Sequence, residues 1–213
     1  PPSPRYARVD TLAAAMTPDA RFGAHAIHYV PSDATPSACV ADLRALLLDT
    51  GLYRARRCRV LQLNHAAARV VPEALAQVKE AMPALEVIVQ VGSDDLAHTA
   101  PGALVERLRS FAPWAAVFLI DPSQGRGLSF DVAPLRAPVA ELRAAFPGVA
   151  LGFAGGLSPD NVAARMDAFA ATVGAGFSVD VETGVRDADD RLCLTRTRAF
   201  IEAAAGPTRP VRT

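Results

Sequence analysis

The sequence predicts an α/β fold built on a parallel sheet, on the basis of two observations. Short runs rich in Val, Ile, Leu and Phe are typical of strands that are buried on both faces. Amphipathic segments with helical periodicity lie between these runs. Such alternation indicates parallel strands joined by helical crossovers, either in an open doubly wound sheet or in a closed β/α barrel. No GxGxxG pattern follows a first strand, which weakens the dinucleotide-binding version of the open sheet.

Strands are predicted in two groups. In the middle and at the end of the chain they cover residues 59–64, 86–92, 115–121, 149–155 and 176–182. In the N-terminal part, residues 24–30 form a predicted strand and residues 6–10 a further one. The total is about seven strands, one fewer than an eight-unit barrel has, so a barrel would be shortened or irregular in its N-terminal units.

Helices are predicted between the strands, over residues 36–50, 72–82, 101–112, 132–146, 159–170 and 189–205. Pro72, Pro101 and Pro159 each suit a first helical position, where the missing N–H is not needed. Ser158 suits the N-cap position before Pro159. These residues set the expected starts of three helices.

The chain has 213 residues, with 22 basic and 22 acidic side chains and a formal net charge of zero. This length suits one large domain or two small ones. No linker or low-complexity segment divides the chain, so we expect a single domain over residues 1–205. Residues 206–213 are expected to form a loose C-terminal tail.

Several classes of protein are excluded by composition. Zero net charge argues against a nucleic-acid partner, and the uncharged run over residues 111–120 is about half as long as a membrane span. No signal peptide is visible at the N-terminus, so we expect a cytoplasmic protein, as a monomer or homodimer. The three cysteines lack CxxC spacing and the histidines lack HxxxH spacing, so neither a disulfide framework nor a metal site is predicted.

Three glycine-rich segments follow predicted strands, over residues 121–127, 154–162 and 179–185. They lie at the carboxyl ends of strands, where β/α folds place their sites. Adjacent glycines let backbone N–H groups approach a ligand closely, and a following helix N-terminus favours an anion. Turn glycines are common, but three such segments in consecutive units favour an anion site.

These segments also carry a family resemblance. The runs FLID, QGRG and FD, then AGGLSPDNV, then VDVETGV resemble phosphoribosylanthranilate isomerase, and LQLNH at residues 61–65 resembles the QLHG motif of that family. The resemblance extends over about residues 58–205. It implies a TIM-type (β/α) barrel and an Amadori-type rearrangement of a phosphorylated amino aldose to an aminoketose, without a cofactor.

Asp121 matches the general acid of the family. Burial in a partly apolar pocket raises the pKa of a carboxyl group, which suits such an acid; the alternative is an Asp that bonds its own loop. Gln62, Asn64 and His65 would bind the substrate. The phosphate-binding residues implied by the resemblance are Arg126, Gly127, Gly155, Gly156, Thr183 and Gly184.

The chain departs from the family at the base, which is a Cys in a KICG motif that is absent here. Cys39, Cys58 and Cys193 are expected in the core. Two alignments with the family stay open. In the first, residues 23–27 match the second strand of the family, so that Asp10 ends the first strand at the base position. In the second, residues 3–6 match the loop after the second strand of the family, so that the first strand and its base are missing. We prefer the first alignment, because it keeps more of the barrel.

A second departure is Glu182, where the family has a serine beside the phosphate. A carboxylate there would repel a phosphate, unless it points away, pairs with Arg126 or Arg186, or the ligand is no phosphate. Three functions therefore remain possible: the isomerase, a divergent barrel that acts on another small anionic metabolite, and a non-catalytic binding protein.

Overall fold

The computed structural model describes Met16 and residues 25–30, 35–64, 72–97, 100–123 and 127–206. Within these residues the strand order is sequential in one six-stranded sheet. β1 pairs with β2, β2 with β3 and β5 with β6, each time in parallel. The strands are β1 (Ala26–Tyr29), β2 (Val60–Leu63), β3 (Glu86–Gly92), β4 (Ala115–Asp121), β5 (Ala150–Phe153) and β6 (Phe177–Val179).

Helices lie between these strands along the chain. The first, α1, continues into a π-helical segment at Ala45–Asp49, and short 3₁₀ turns occur at Ala133–Leu135 and Thr183–Val185. No helix within the described residues is long and apolar enough to cross a membrane. The helices are α1 (Pro36–Arg44), α2 (Pro72–Ala81), α3 (Ser93–Leu96), α4 (Ala103–Leu108), α5 (Arg136–Ala145), α6 (Val162–Val173) and α7 (Leu194–Ala205).

Six predicted strands are present, and the seventh, over residues 6–10, lies outside the described residues. Pro72 begins α2 as expected. Two other helix starts were wrong: α4 begins at Ala103 rather than Pro101, and α6 at Val162 rather than Pro159. The final helix was also predicted too early, because Arg186 and Leu192 first form an isolated antiparallel bridge before α7.

Ser158 is not the N-cap of α6, because the helix begins only at Val162. Asn161 occupies the N-cap position, and its Oδ1 accepts the N–H of Ser158 at 2.8 Å. The carbonyl oxygen of Ser158 accepts the N–H groups of Asn161 and Val162 at 3.2 and 3.0 Å. Residues 158–161 therefore form a turn that precedes the helix.

The described residues divide into two compact units. The first unit contains residues 92–97, 100–105, 119–123 and 127–206, and the second contains Met16 and residues 25–30, 35–64, 72–91 and 106–118. The single domain over residues 1–205 stays a prediction. Residues 207–213 of the predicted tail lie outside the described residues.

The core of the second unit follows from the two-residue period of parallel strands. Leu61 and Leu63 are in register with Val87 and Val89, and all four are fully buried. Residues in register share a face of the sheet. The alternate face of β2 carries Gln62, which is in register with His28 and Ile88.

The core of the first unit is aromatic. Phe153 of β5 stacks on Phe169 of α6 with ring centroids 4.6 Å apart. Phe177 of β6 meets both rings edge-on, at 5.4 and 5.9 Å. These contacts fix which face of β5 and β6 is turned towards α6, and therefore which residues face the other way.

Candidate functional site

Two carboxyl groups share one row of the sheet at the ends of β4, β5 and β6. The N–H of Ala154 donates to the carbonyl of Ile120, and the N–H of Asp180 donates to the carbonyl of Phe153, each at 2.9 Å. In a parallel ladder, these bonds place Asp121, Ala154 and Asp180 side by side. The row points away from α6, because the neighbouring Phe153 faces that helix.

Asp121 is 4% exposed and bonds its own loop. Its Oδ1 accepts the N–H of Ser123 at 3.0 Å and the hydroxyl of Ser123 at 2.7 Å. This is the turn in which a carboxylate accepts the N–H two residues on, which the sequence offered as the alternative to catalysis. A bond of this kind orients the carboxyl group and leaves a role in catalysis open.

Gly155 lies directly against this carboxyl group. A Cβ at position 155 would stand 3.1 Å from Asp121 Oδ1, 3.1 Å from Phe130 Cε1 and 3.2 Å from Ser123 Oγ. The φ of Gly155 is also +103°, where a side chain is strained. The glycine therefore leaves room for Asp121, Ser123 and Phe130 to meet.

Asp180 is a candidate site residue that our sequence reasoning did not single out. The pKa of Asp180 is raised from 3.8 to about 6, first by burial, then by the charge of Asp121 and then by that of Glu182. A hydrogen bond from the backbone of Val181 lowers this pKa in part. Its position immediately after β6 matches that of Asp121 at the end of β4, and this was the signal that could have found it. The row thus holds two interacting acids.

The three glycine-rich segments and the residues that follow the first of them pack closely together at their glycines. A Cβ on Gly156 would stand 2.6 Å from the backbone N of Ser129 and 2.7 Å from the carbonyl carbon of Leu128. A Cβ on Gly184 would collide with the carbonyl oxygen of Leu157. A Cβ on Gly127 would stand 3.1 Å from the side chain of Thr183. The segments predicted to form one site are therefore packed together.

Two side chains of the α6 region hold these segments. Asn161 accepts the N–H of Ser158 through Oδ1 and donates through Nδ2 to the carbonyl of Gly156, both at 2.8 Å. Arg165 Nη2 donates to the carbonyl of Phe130 at 2.7 Å, and its guanidinium carbon lies 5.0 Å from the Phe130 ring centroid. The glycine-rich loops are thus fixed by side chains as well as by their own packing.

Glu182 pairs with Arg186, one of the alternatives that the sequence left open. Arg186 Nη2 donates to Glu182 Oε1 at 3.2 Å, and Arg186 Nη1 donates to the carbonyl of Asp190 at 2.8 Å. The side chain of Arg186 is only 13% exposed, whereas that of Glu182 is 39% exposed. The pairing reduces the repulsion that Glu182 would exert on an anion.

The predicted substrate-binding residues belong to the second unit. Gln62 and Asn64 are two residues apart along β2 and its end, so their side chains share a face. The N–H of Asn64 donates to the carbonyl of Tyr29 at 3.0 Å, and its buried Oδ1 has no hydrogen-bond partner among the described residues. A buried oxygen without a partner is suited to accept a hydrogen bond from a ligand. His65, Arg126 and Asp10 lie outside the described residues.

The cysteines differ in their surroundings. Cys39 in α1 and Cys58 before β2 are fully buried, as predicted, and burial raises the pKa of the Cys58 thiol. Cys193 was expected in the core but is partly exposed, because it occupies the N-cap position of α7. None of the three ends a described strand, where the family has its base.

Comparison with known proteins decides the family. The N-(5'-phosphoribosyl)anthranilate isomerase of Paramagnetospirillum magneticum is 31% identical over 209 residues, which are 97% of this chain and 84% of that protein. The chain belongs to the phosphoribosylanthranilate isomerase family. No protein-family model matches the chain.

Solved members of the phosphoribosylanthranilate isomerase family share the fold. One, in complex with reduced 1-(o-carboxyphenylamino)-1-deoxyribulose 5-phosphate, is 20% identical with a TM-score of 0.60, over 96% of this chain and 82% of that chain. The Pyrococcus furiosus enzyme is 15% identical with a TM-score of 0.56, over 93% and 80%. The predicted TIM-type barrel class is confirmed, although the sheet does not close within the described strands.

Gly184→Ala should destabilise the protein, because the new methyl group would collide with the backbone of Leu157. We expect a loss of about 1–3 kcal/mol, the usual cost of overpacking, measured as the free energy of unfolding in urea. Gly148→Ala is the matched control, since nothing lies within 4 Å of its added Cβ. An equal effect of the two substitutions would show that the loops are not interlocked.

Asp180→Asn should change how stability depends on pH. A folded-state pKa of about 6, above the ordinary 3.8, means that the contribution of Asp180 is full below about pH 4 and is lost as the pH rises through 6. The variant should therefore gain as much as about 3 kcal/mol relative to wild type between pH 4 and 8. Thermal unfolding at both pH values measures this, with exposed Asp167→Asn on α6 as the control. Parallel pH profiles for wild type and Asp180→Asn would contradict it.

Proposed function

We propose that the protein isomerises N-(5'-phosphoribosyl)anthranilate by an Amadori-type rearrangement. The observation that carries the proposal is the row of Asp121 and Asp180 beside three interlocked glycine-rich loops in one compact unit. Family membership supports it. The related structure in complex with reduced 1-(o-carboxyphenylamino)-1-deoxyribulose 5-phosphate also supports it, because that ligand is a sugar phosphate derivative.

The rearrangement needs an acid that protonates the ring oxygen and a base that removes the proton next to the imine carbon. Asp121 is the residue that the family resemblance matches to the acid, and Asp180 adds a second carboxyl group in the same row. A pair of acids with different surroundings is a common way to keep one carboxyl group available as a proton donor. We propose that this pair supplies the acid, while Asp10 stays the predicted base.

The substrate phosphate is proposed to bind at the interlocked loops, through Arg126, Gly127, Gly155, Gly156, Thr183 and Gly184. Gly127, Gly155 and Gly156 have φ values of +65°, +103° and +63°. Left-handed glycines in succession can turn adjacent N–H groups towards an anion. Gln62, Asn64 and His65 are proposed to contact the rest of the substrate, which the buried Oδ1 of Asn64 supports.

A second candidate is a binding protein, or an enzyme for another small anionic metabolite. The absence of the KICG base motif favours it, together with the burial of Cys39 and Cys58 away from any described strand end. The deciding experiment is complementation of a strain that lacks phosphoribosylanthranilate isomerase, paired with an assay of the purified full chain. Growth and turnover would establish the isomerase; neither, with folded protein present, would establish the second candidate.

Asp121→Asn should lower turnover of N-(5'-phosphoribosyl)anthranilate by about a hundredfold or more, the usual scale of general acid–base catalysis. Asp167→Asn, on the exposed face of α6, should leave turnover unchanged. Thermal unfolding of both variants checks that they are folded. Wild-type turnover in folded Asp121→Asn would remove this residue from the mechanism.

Glu182→Ser should tighten the binding of inorganic phosphate, because it removes a negative charge and one of the two ion-pair partners of Arg186, the other being Asp190. Since Glu182 is partly exposed, we expect an effect of about twofold to fivefold, typical of such pairs, and largest at low salt. Calorimetry measures it, with Glu202→Ser further along α7 as the control. Unchanged affinity, or no binding by either protein, would mean that this loop is not a phosphate site.

A further inference from the structure

We propose that Arg165 is a positioning residue of the phosphate site, which holds Phe130 and the residues before it in place over Gly155 and Gly156. This Arg165–Phe130 clamp is a property of the folded chain, and all of these residues belong to the first compact unit. Its effect on an anion rests on the proposed function, because that function places the substrate phosphate at these loops.

The guanidinium of Arg165 contacts Phe130 in two ways. Nη2 donates to the carbonyl of Phe130 at 2.7 Å, and the guanidinium carbon lies 5.0 Å from the centroid of the same ring. The guanidinium carbon also lies 5.5 Å from the ring centroid of Phe169, which is fully buried and stacks on Phe153. Arg165 therefore ties the loop residue Phe130 to the aromatic core of the unit.

The Arg165 side chain has no competing partner among the described residues. No described carboxylate forms an ion pair with it, and its buried Nε has no hydrogen-bond partner there. A buried donor without a partner costs stability, and such groups call for an explanation in function or in packing. The guanidinium is thus held by two aromatic rings and one carbonyl oxygen.

Phe130 and the two residues before it lie directly against the glycines of the second loop. A Cβ on Gly155 would stand 3.1 Å from Phe130 Cε1, and a Cβ on Gly156 would stand 2.6 Å from the backbone N of Ser129. A displacement of Phe130 would therefore move the N–H of Ser129 relative to Gly156. Anion-binding turns depend on backbone N–H groups that point to one place, so the clamp would set their geometry.

The start of α6 holds the two loops from one side. Asn161 Nδ2 donates to the carbonyl of Gly156 at 2.8 Å, and Arg165 Nη2 donates to that of Phe130. The two residues are joined directly, since the N–H of Arg165 donates to the carbonyl of Asn161 at 2.9 Å. One helical turn therefore sets the position of the first loop relative to the second.

The contacts of Arg165 are specific to a guanidinium. This group is planar, so that it stacks on a ring while its N–H groups donate in its own plane. The ammonium of a lysine is a compact and strongly hydrated charge, which does not reproduce both contacts. Arg165→Lys therefore separates the position of the loop from the charge beside it.

Arg143 provides a matched control at the other end of α6. It donates through Nη1 to the carbonyl of Val173 and through Nη2 to that of Ala175, the latter at 2.8 Å. These carbonyls lie between the end of α6 and the start of β6, whereas the glycine-rich loops follow their strands. Arg143→Met and Arg165→Met remove the same kind of bond, and only the second removes it at the loops.

The test combines ¹⁵N relaxation of the full chain with calorimetric titration of inorganic phosphate. In Arg165→Met, the order parameters of residues 128–130 should fall from about 0.85 to below about 0.6. The affinity for inorganic phosphate should fall about tenfold, the scale of one hydrogen bond to a charged group. Arg143→Met should change neither quantity. Wild-type order parameters in folded Arg165→Met, or an affinity equal to that of wild type, would overturn the proposal.

Two further variants separate positioning from charge and from general stability. Arg165→Lys should weaken phosphate binding nearly as much as Arg165→Met; full affinity in the lysine variant would show that charge suffices and would overturn the proposal. Phe130→Leu removes the ring, and its effect should not add to that of Arg165→Met in the double variant, because both break one clamp. Additive effects would also overturn the proposal. Thermal unfolding checks that each variant is folded.

Kinetics distinguish this proposal from the proposed function. If wild type turns over N-(5'-phosphoribosyl)anthranilate, Arg165→Met should raise KM about tenfold and change kcat by less than about threefold, because a phosphate contact binds substrate and transition state alike. A lower kcat at the wild-type KM would overturn the role of Arg165 at the phosphate. A wild type with neither turnover nor phosphate binding would defeat the proposed function, and the order parameters would still decide whether Arg165 holds residues 128–130.

Discussion

The close packing of backbone on backbone at the glycine-rich loops is the constraint on which the rest of the first unit depends. Gly184 lies against Leu157, and Gly156 lies against Leu128 and Ser129, with no space for a Cβ at either glycine. Rigid contacts of this kind fix the ends of three successive strands relative to one another. The Asp121–Ala154–Asp180 row therefore cannot open without separating the loops.

Such a row is electrostatically costly, and the fold offsets the cost locally. Buried Asp121 and half-buried Asp180 lie on one face, where they repel each other and lose hydration. The two Ser123 donors stabilise one acid, and Arg186 balances the neighbouring Glu182 at 3.2 Å. What remains is the raised pKa of Asp180, at about 6. Acids with shifted pKa values, held in place by a rigid surrounding structure, are typical of functional sites, whose side chains are often arranged at a cost to stability.

Strands and loops were predictable because their signals are local. Continuous apolar runs identified all six described strands, and glycine clusters identified the three loops that interlock. The start of α6 was not predictable from Pro159, because residues 158–161 form a turn, closed by bonds to Ser158, before the helix begins at Val162. Asp180 was missed although its position at a strand end matches that of Asp121, because its raised pKa arises from burial and from Asp121 on another strand, which the sequence alone does not show. Glu182 had two candidate partners: the pairing with Arg186 is confirmed by its three-dimensional placement, whereas Arg126 lies outside the described residues.

The distribution of the site along the chain bears on the missing cysteine base. The carboxyl row, the Ser123 donors and the interlocked loops all come from residues 119–206 of one compact unit. Gln62 and Asn64 come from the other unit. Ring opening needs a proton donor and a held phosphate, whereas the later proton removal needs a base, which the family places at the end of its first strand. Under the proposed function, the groups for the first step therefore come from one compact unit, whereas the base is expected from the N-terminal part of the chain.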